Sequence, residues 1–292
     1  MKFRINFLLG LILVLIASST HAHAAPRTWV SGVGDDSNPC SRTAPCKTFD
    51  HVISMTDPGG EIVVLDPGDY GPVKITQSVT IDGHAVFAGI TGNTSLVFPG
   101  TDAAVVVDAG PTGVVILRGL NLSSVDIGDG TGTGRNGIQY KSGATLVIDH
   151  CSVSGFTQNA IDVSLAGPKN LVVNNTNFAS NTVGIHLADT TGTDARAQVT
   201  NCVIAGNTAF GVRAEGKGTI SVANSLLTQN GVAVRAETDA TVRLSNNEIF
   251  DNGIGIGCVG ASTVTSGTVA SADNNKRAPN GPCRPNARIT VQ

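Results

Sequence analysis

Asn175-Thr-Asn-Phe178-Ala-Ser-Asn181 is followed by Asn201-Cys-Val-Ile204-Ala-Gly-Asn207, Asn224-Ser-Leu-Leu227-Thr-Gln-Asn230 and Asn246-Asn-Glu-Ile249-Phe-Asp-Asn252. The shared pattern, Asn-x-x-(Leu/Ile/Phe)-x-x-Asn, returns every 22 to 26 residues. A fixed period of that length marks stacked repeats, each burying its apolar residues against the next.

One coil of a right-handed parallel β-helix uses about that many residues, as three short strands joined by bends, and stacks on its predecessor at roughly 4.8 Å. An Asn recurring at a bend lies above its counterpart. It tolerates a left-handed backbone and can donate its amide to the Asn of the next rung. The expected fold class is all-β, a single right-handed parallel β-helix (solenoid). Thr48 reads as the N-cap of a short N-terminal α-helix with Phe49, Val52 and Ile53 on one face and Asp57-Pro-Gly-Gly60 as its stop. Such a helix would cap the open edge of the first coil. The expected division is a signal peptide over 1–24, an N-terminal strand, disulfide loop and capping helix over 25–60, the β-helix over 61–260, and a C-terminal cap or tail over 261–292.

The leader reading rests on Lys2 and Arg4, the apolar run Leu8 to Ala17, and the small-x-small site Ala22-His23-Ala24. No other apolar stretch approaches the roughly 20 residues of a membrane span. Secretion or periplasmic export without membrane insertion is therefore expected. Loss of Lys2 and Arg4 takes the formal charge from −3 to about −5, which argues against nucleic acid as a partner. Charged residues at 14% and 35 glycines suit stacked strands and tight bends, and a monomeric rod is expected.

Six cysteines in an exported chain invite pairing. Cys40 and Cys46 flank a short Pro-bounded loop, and Cys258 and Cys283 bracket the C-terminal segment; each pair is expected to form a disulfide. Cys151 and Cys202 share one repeat position with Thr176 on the coil between. Two rungs separate them by roughly 9.6 Å, beyond the reach of about 7 Å for a bridge. Both are expected to stay as buried thiols.

The opening Pro45-Cys-Lys-Thr-Phe49, the capping helix and Leu65-Asp-Pro-Gly-Asp-Tyr-Gly71, followed by Val73 to Gly83, resemble small exported bacterial members of the pectin-lyase-like superfamily of right-handed parallel β-helix proteins. The resemblance spans nearly the whole mature chain. It implies the fold, while activities within that superfamily differ.

After each second Asn a further strand is expected, beginning at Ile138, Ile161, Ile185, Val212, Val234 and Ile256. Alternation sends these residues inward together with Tyr140, Val163, Leu187, Ala214, Ala236 and Cys258. Two outward columns remain: Gln139, Asp162, His186, Arg213, Arg235 and Gly257, and Lys141, Ser164, Ala188, Glu215, Glu237 and Val259. The polar, Gly/Thr-rich stretches 126–137 and 189–196 read as loops beside them.

Glu215 and Glu237 on adjacent rungs would stand near 5 Å apart, as in a retaining glycosidase, or could offer oxygens to Ca²⁺. Asp162 and His186 would form an acid/base couple. Gln139, Lys141, Arg213 and Arg235 are the candidate substrate-binding residues. The commoner reading of such columns is a solvated face in which diagonal Arg to Glu attraction offsets stacked like charges.

Comparison with superfamily enzymes transfers no catalytic residue. Asn175-Thr-Asn177 has an amide where polygalacturonase-like hydrolases need a carboxylate. Asp35-Asp36 precedes the helix, Gly83-His84-Ala85 lacks a second Gly, and the alginate-epimerase signature is absent. The acidic cluster of pectate lyases is only loosely approximated by Asp162, Glu215 and Glu237. No cofactor is expected beyond the Ca²⁺ alternative. No metal centre is expected from the scattered His and Cys, and Asp126-Ile-Gly-Asp129 reads as a plain turn. With aromatics at 4% of the chain, no stacking platform for sugars is evident. The expectation is an exported, non-catalytic β-helix protein with polysaccharide binding on its polar columns. A polysaccharide lyase or glycoside hydrolase, and an adhesive rod, are the alternatives.

Overall fold

The computed structural model describes residues 24–84, 86–92, 103–124, 134–163, 169–189, 192, 194–237, 239–259, 263–264, 267–278 and 283–289, the side chains of 258–259 and 263–264 excepted. The expected leader, most of the 126–137 loop including Asp126 and Asp129, Ser164, and residues 190–191 and 193 lie outside that set. Strand Asn136–Ser142 already holds the end of the first loop, and strands Val183–Asp189 and Arg196–Thr200 hold both ends of the second.

Among the described residues the chain winds through three parallel sheets of 11, 8 and 9 strands, to each of which every coil between Thr56–Val64 and Ile254–Ile256 contributes one strand, and Cys258–Val259 pairs antiparallel with Thr263–Val264. In the first sheet the inward residues form an aliphatic column. Ile62, Ile81, Leu117, Ile148, Val173, Val199, Val222 and Leu244 follow one another in register, none more than 1% exposed. The second sheet stacks Val105, Ile138, Ile161, Ile185, Val212, Val234 and Ile256. The third stacks the central apolar residue of each Asn motif, Phe178, Ile204, Leu227 and Ile249. Each such side chain contributes about 1.5–3 kcal/mol on burial, so the solenoid gains its stability rung by rung.

The two Asn of the motif divide the labour that the sequence assigned to one bend residue. The first, at Asn175, Asn201, Asn224 and Asn246, takes the left-handed backbone with φ of 49 to 55°. The second, at Asn181, Asn207, Asn230 and Asn252, is buried and carries the amide ladder. Asn181 Nδ2 donates to Asn207 Oδ1 at 3.1 Å, Asn207 to Asn230 at 2.9 Å and Asn230 to Asn252 at 3.0 Å. The left-handed turn at this second bend falls one residue earlier, on Ser180, Gly206, Gln229 and Asp251.

The helix, α1, runs Phe49–Met55 with Thr48 Oγ1 accepting from His51 N, and buries Phe49, Val52 and Ile53. Asp36 holds its start, accepting from the backbone of Lys47 and Thr48 and from the Thr48 hydroxyl. Parallel pairing continues past residue 260, where Thr268–Ser271 adds to the first sheet and Lys276–Arg277 to the third.

Cys40 and Cys46 are bonded, with α-carbons 4.6 Å apart, and Cys283 is also in a disulfide. Cys151 and Cys202 are free and buried, and burial pushes both thiols up to about 11.

Candidate functional site

Every inward residue expected in the second sheet from Ile138 to Ile256 is at most 1% exposed, so the residues between them form the outer face as the alternation requires. Gln139, Asp162, His186, Arg213 and Arg235 are register partners in turn. Glu215 follows Ala188 in the neighbouring column. Glu237 lies just past its strand, where its backbone N–H still pairs with Ala214 O at 2.8 Å.

The face is less open than a solvated column. Asp162 is 6% and Ala188 4% exposed, and Gly257 is buried.

One chain of polar contacts joins the candidate residues. Asp162 Oδ1 lies 2.9 Å from His186 Nδ1, and His186 Nε2 lies 3.5 Å from Glu215 Oε1. Arg213 reaches Glu215 with a terminal guanidinium nitrogen and Glu237 Oε1 with Nε at 3.0 Å. Arg235 Nε is also 3.0 Å from Glu237 Oε1. The guanidinium of Arg213 therefore touches both carboxylates of the proposed glycosidase pair and compensates their charges. The contact from Arg213 to Glu237 on the next rung is the diagonal Arg to Glu arrangement, and that to Glu215 runs along the same strand. His186 is held through Nδ1 by Asp162 on the rung below, while its buried Nε2 makes no hydrogen bond to Glu215.

Two residues join this face that spacing did not bring to it. Phe210, half-buried at the start of its strand, lies beneath both arginines, with guanidinium carbons 5.2 and 5.7 Å from the ring centre. Such stacking adds a cation–π attraction to each guanidinium group. Lys169 is 3% exposed, its Nζ 3.4 Å from Tyr140 O and 5.5 Å from the Tyr140 ring centre. Burial pushes its amine below the usual range, against the opposing pull of Asp162, Asp189 and Asp108. Burial likewise pushes the Tyr140 phenol above its usual value. Phe210 was legible as an aromatic three residues before Arg213; Lys169 precedes its strand from outside the repeat and gave no signal.

Elsewhere, an open cavity of about 320 Å³ lies along the motif bend, lined by Asn224, Ser225, Leu226, Asn246, Asn247, Glu248 and Lys276, away from the charged face. Cys40, Cys46 and His51 approach one another closely enough to suggest a metal triad. The Cys40–Cys46 disulfide removes both thiolates from that role.

The model of the right handed beta helix region matches residues 73–247, more than half of the chain. The chain belongs to this family. Comparison with curated proteins found no match. Among solved structures, the crystal structure of pectate lyase Pel9A superposes with a TM-score of 0.62 over 94% of this chain and 80% of that one, at 13% identity. At that identity the likeness establishes a pectin-lyase-like β-helix and stops at the fold. The GH136 lacto-N-biosidase from Eubacterium ramulus gives a TM-score of 0.26 at 10% identity, over 96% of this chain and 68% of that one, too low to carry a structural argument.

Proposed function

We propose that this β-helix protein is exported and binds extracellular polysaccharide, without cleaving it, along the outer face of its second sheet. The carrying observation is the Arg213 guanidinium set against both Glu215 and Glu237. A carboxylate already engaged by a guanidinium is a poor nucleophile and a poor proton donor, whereas an ordered row of donors and acceptors on a rigid sheet suits hydroxyl-rich ligands. Arg213 and Arg235 stacked on Phe210 lose little freedom on contact with a ligand. The fold shared with a pectate lyase supports a polysaccharide as the class of ligand. The Cys40–Cys46 disulfide supports an oxidising compartment. Among the described residues no helix is long and apolar enough to cross a membrane.

A glycan array probed with the mature protein, alongside assays for unsaturated products and new reducing ends on acidic and neutral polysaccharides, tests this. The expected result is binding to at least one polymer, loss of that binding on Arg213→Ala, and no product. Product formation abolished by Glu215→Gln or Asp162→Asn would establish the enzyme reading instead. Silence on every glycan would leave an adhesive rod.

A further inference from the structure

The first bend of successive coils is occupied by Gly83, Gly119, His150, Asn175, Asn201 and Asn224, each N–H donating to the carbonyl that ends the next rung's strand. Three of these, Gly83, Gly119 and His150, depart from the Asn series. Gly119 adopts φ +61°, and a Cβ there would meet His84 Cα at 2.4 Å and His84 N at 2.5 Å. The missing side chain is a notch into which the backbone of His84 folds. Rungs two apart stand roughly 9.6 Å from each other, yet the rings of His84 and His150 meet at 4.8 Å between centres, perpendicular to one another. Both rings are exposed.

The surroundings orient one of them. His150 Nδ1 lies 2.9 Å from Asp149 Oδ1, which also accepts from Asn175 Nδ2 at 3.3 Å. With Nδ1 set against the Asp149 carboxyl oxygen, His150 donates from Nδ1–H and Nε2 is left as the lone-pair nitrogen. A carboxylate accepting from the far side of an imidazole is the outer-shell arrangement found behind metal-ligating histidines.

We propose that His84 and His150 form a two-imidazole site for a divalent first-row transition ion such as Zn²⁺ or Cu²⁺, oriented by Asp149 and completed by water. Imidazole nitrogen suits these ions at about 2.0–2.1 Å. The His84 ring is exposed and already in edge contact with that of His150, which places a second imidazole beside an ion held at His150 Nε2. An ion there would tie the rung of Val79–Asp82 to that of Thr145–Asp149 across the intervening coil.

The test is calorimetric titration of the purified protein with ZnCl₂ alone, and electron spin resonance with CuCl₂ alone. One saturable equivalent, a two-nitrogen copper spectrum and a raised thermal midpoint in the presence of zinc are expected. His84→Ala or His150→Ala should abolish all three. Asp149→Asn should weaken binding about ten- to a hundred-fold, and His51→Ala should change nothing. Far-UV circular dichroism checks that each variant is folded, which the exposure of both rings favours. No saturable binding, or binding indifferent to both histidine substitutions, would overturn the proposal and leave the pair as a surface ring contact.

Discussion

Two polar ladders climb the same solenoid and differ in almost every energetic respect. The Asn181–Asn207–Asn230–Asn252 ladder is neutral, buried and repeated without variation, each amide shared between neighbours above and below. The ladder from Asp162 through His186, Glu215 and Arg213 to Glu237 and Arg235 is charged and varied. Apart from the buried Asp162, its members are partly open to water. Both owe their register to the same period. The difference shows that a repeat places side chains above one another, while burial decides whether the resulting column supports the fold or is free to change.

The largest effect is expected from breaking the buried ladder. Asn207 Oδ1 accepts from Asn181 N and Nδ2, while its own amide donates to Phe178 O and Asn230 Oδ1. Asn207→Ala strands several of these groups without water, and each buried unsatisfied group costs about 1–3 kcal/mol. A loss of about 4 kcal/mol in urea unfolding is expected, insensitive to salt. A loss below about 1 kcal/mol would erase the contrast between the ladders.

Buried thiols sharpen the same side of the comparison through pH. Burial raises Cys151 and Cys202 to about 11 in the folded chain, above the ordinary value of about 8.5. Their contribution is therefore complete below the unfolded pKa and is lost as pH rises through the folded one, by roughly 3 kcal/mol per thiol. Unfolding midpoints should fall between about pH 8.5 and 11, and Cys151→Ala with Cys202→Ala should flatten that slope. Native thiols should resist a maleimide until denaturant is added.

A third substitution separates the two Asn of one motif. Asn201 sits at φ 55° and is exposed, so Asn201→Ala should cost only about 1 kcal/mol, from the left-handed backbone, and Asn201→Gly should restore most of it. Similar losses at Asn201 and Asn207 would contradict the division of roles.

That division marks the limit of what the sequence could reveal. The period fixed rung order and strand alternation, because both are properties of spacing alone. It could not distinguish two Asn six residues apart in one pattern, since their separate roles depend on which side of the chain each amide faces. The charged columns were legible from alternation, and diagonal Arg to Glu attraction offsetting the stacked like charges was already the commoner reading. Lys169 beside Tyr140 was not legible, because it reaches the face from outside the repeat. Nor was the meeting of His84 with His150, which depends on the absent side chain of Gly119 on the coil between.

The smallest stability effect should come from the charged ladder itself. Arg213 touches Glu215 and Glu237, but these three side chains are 26–31% exposed, so solvent screens much of the interaction. Arg213→Ala leaves two carboxylates on successive rungs, yet Arg235 still reaches Glu237 at 3.0 Å. A loss of at most about 1 kcal/mol is expected, from unpaired repulsion and the lost contact with Phe210. Added salt should shrink it further, because screening acts on exposed charges and leaves buried amides untouched. A chain that keeps its unfolding midpoint on Arg213→Ala while losing glycan binding would mark this ladder as the one free to serve a ligand. Were Arg213→Ala to cost more than Asn207→Ala, and to do so equally at low and high salt, the charged face would be the structural spine and the polysaccharide reading would lose its basis.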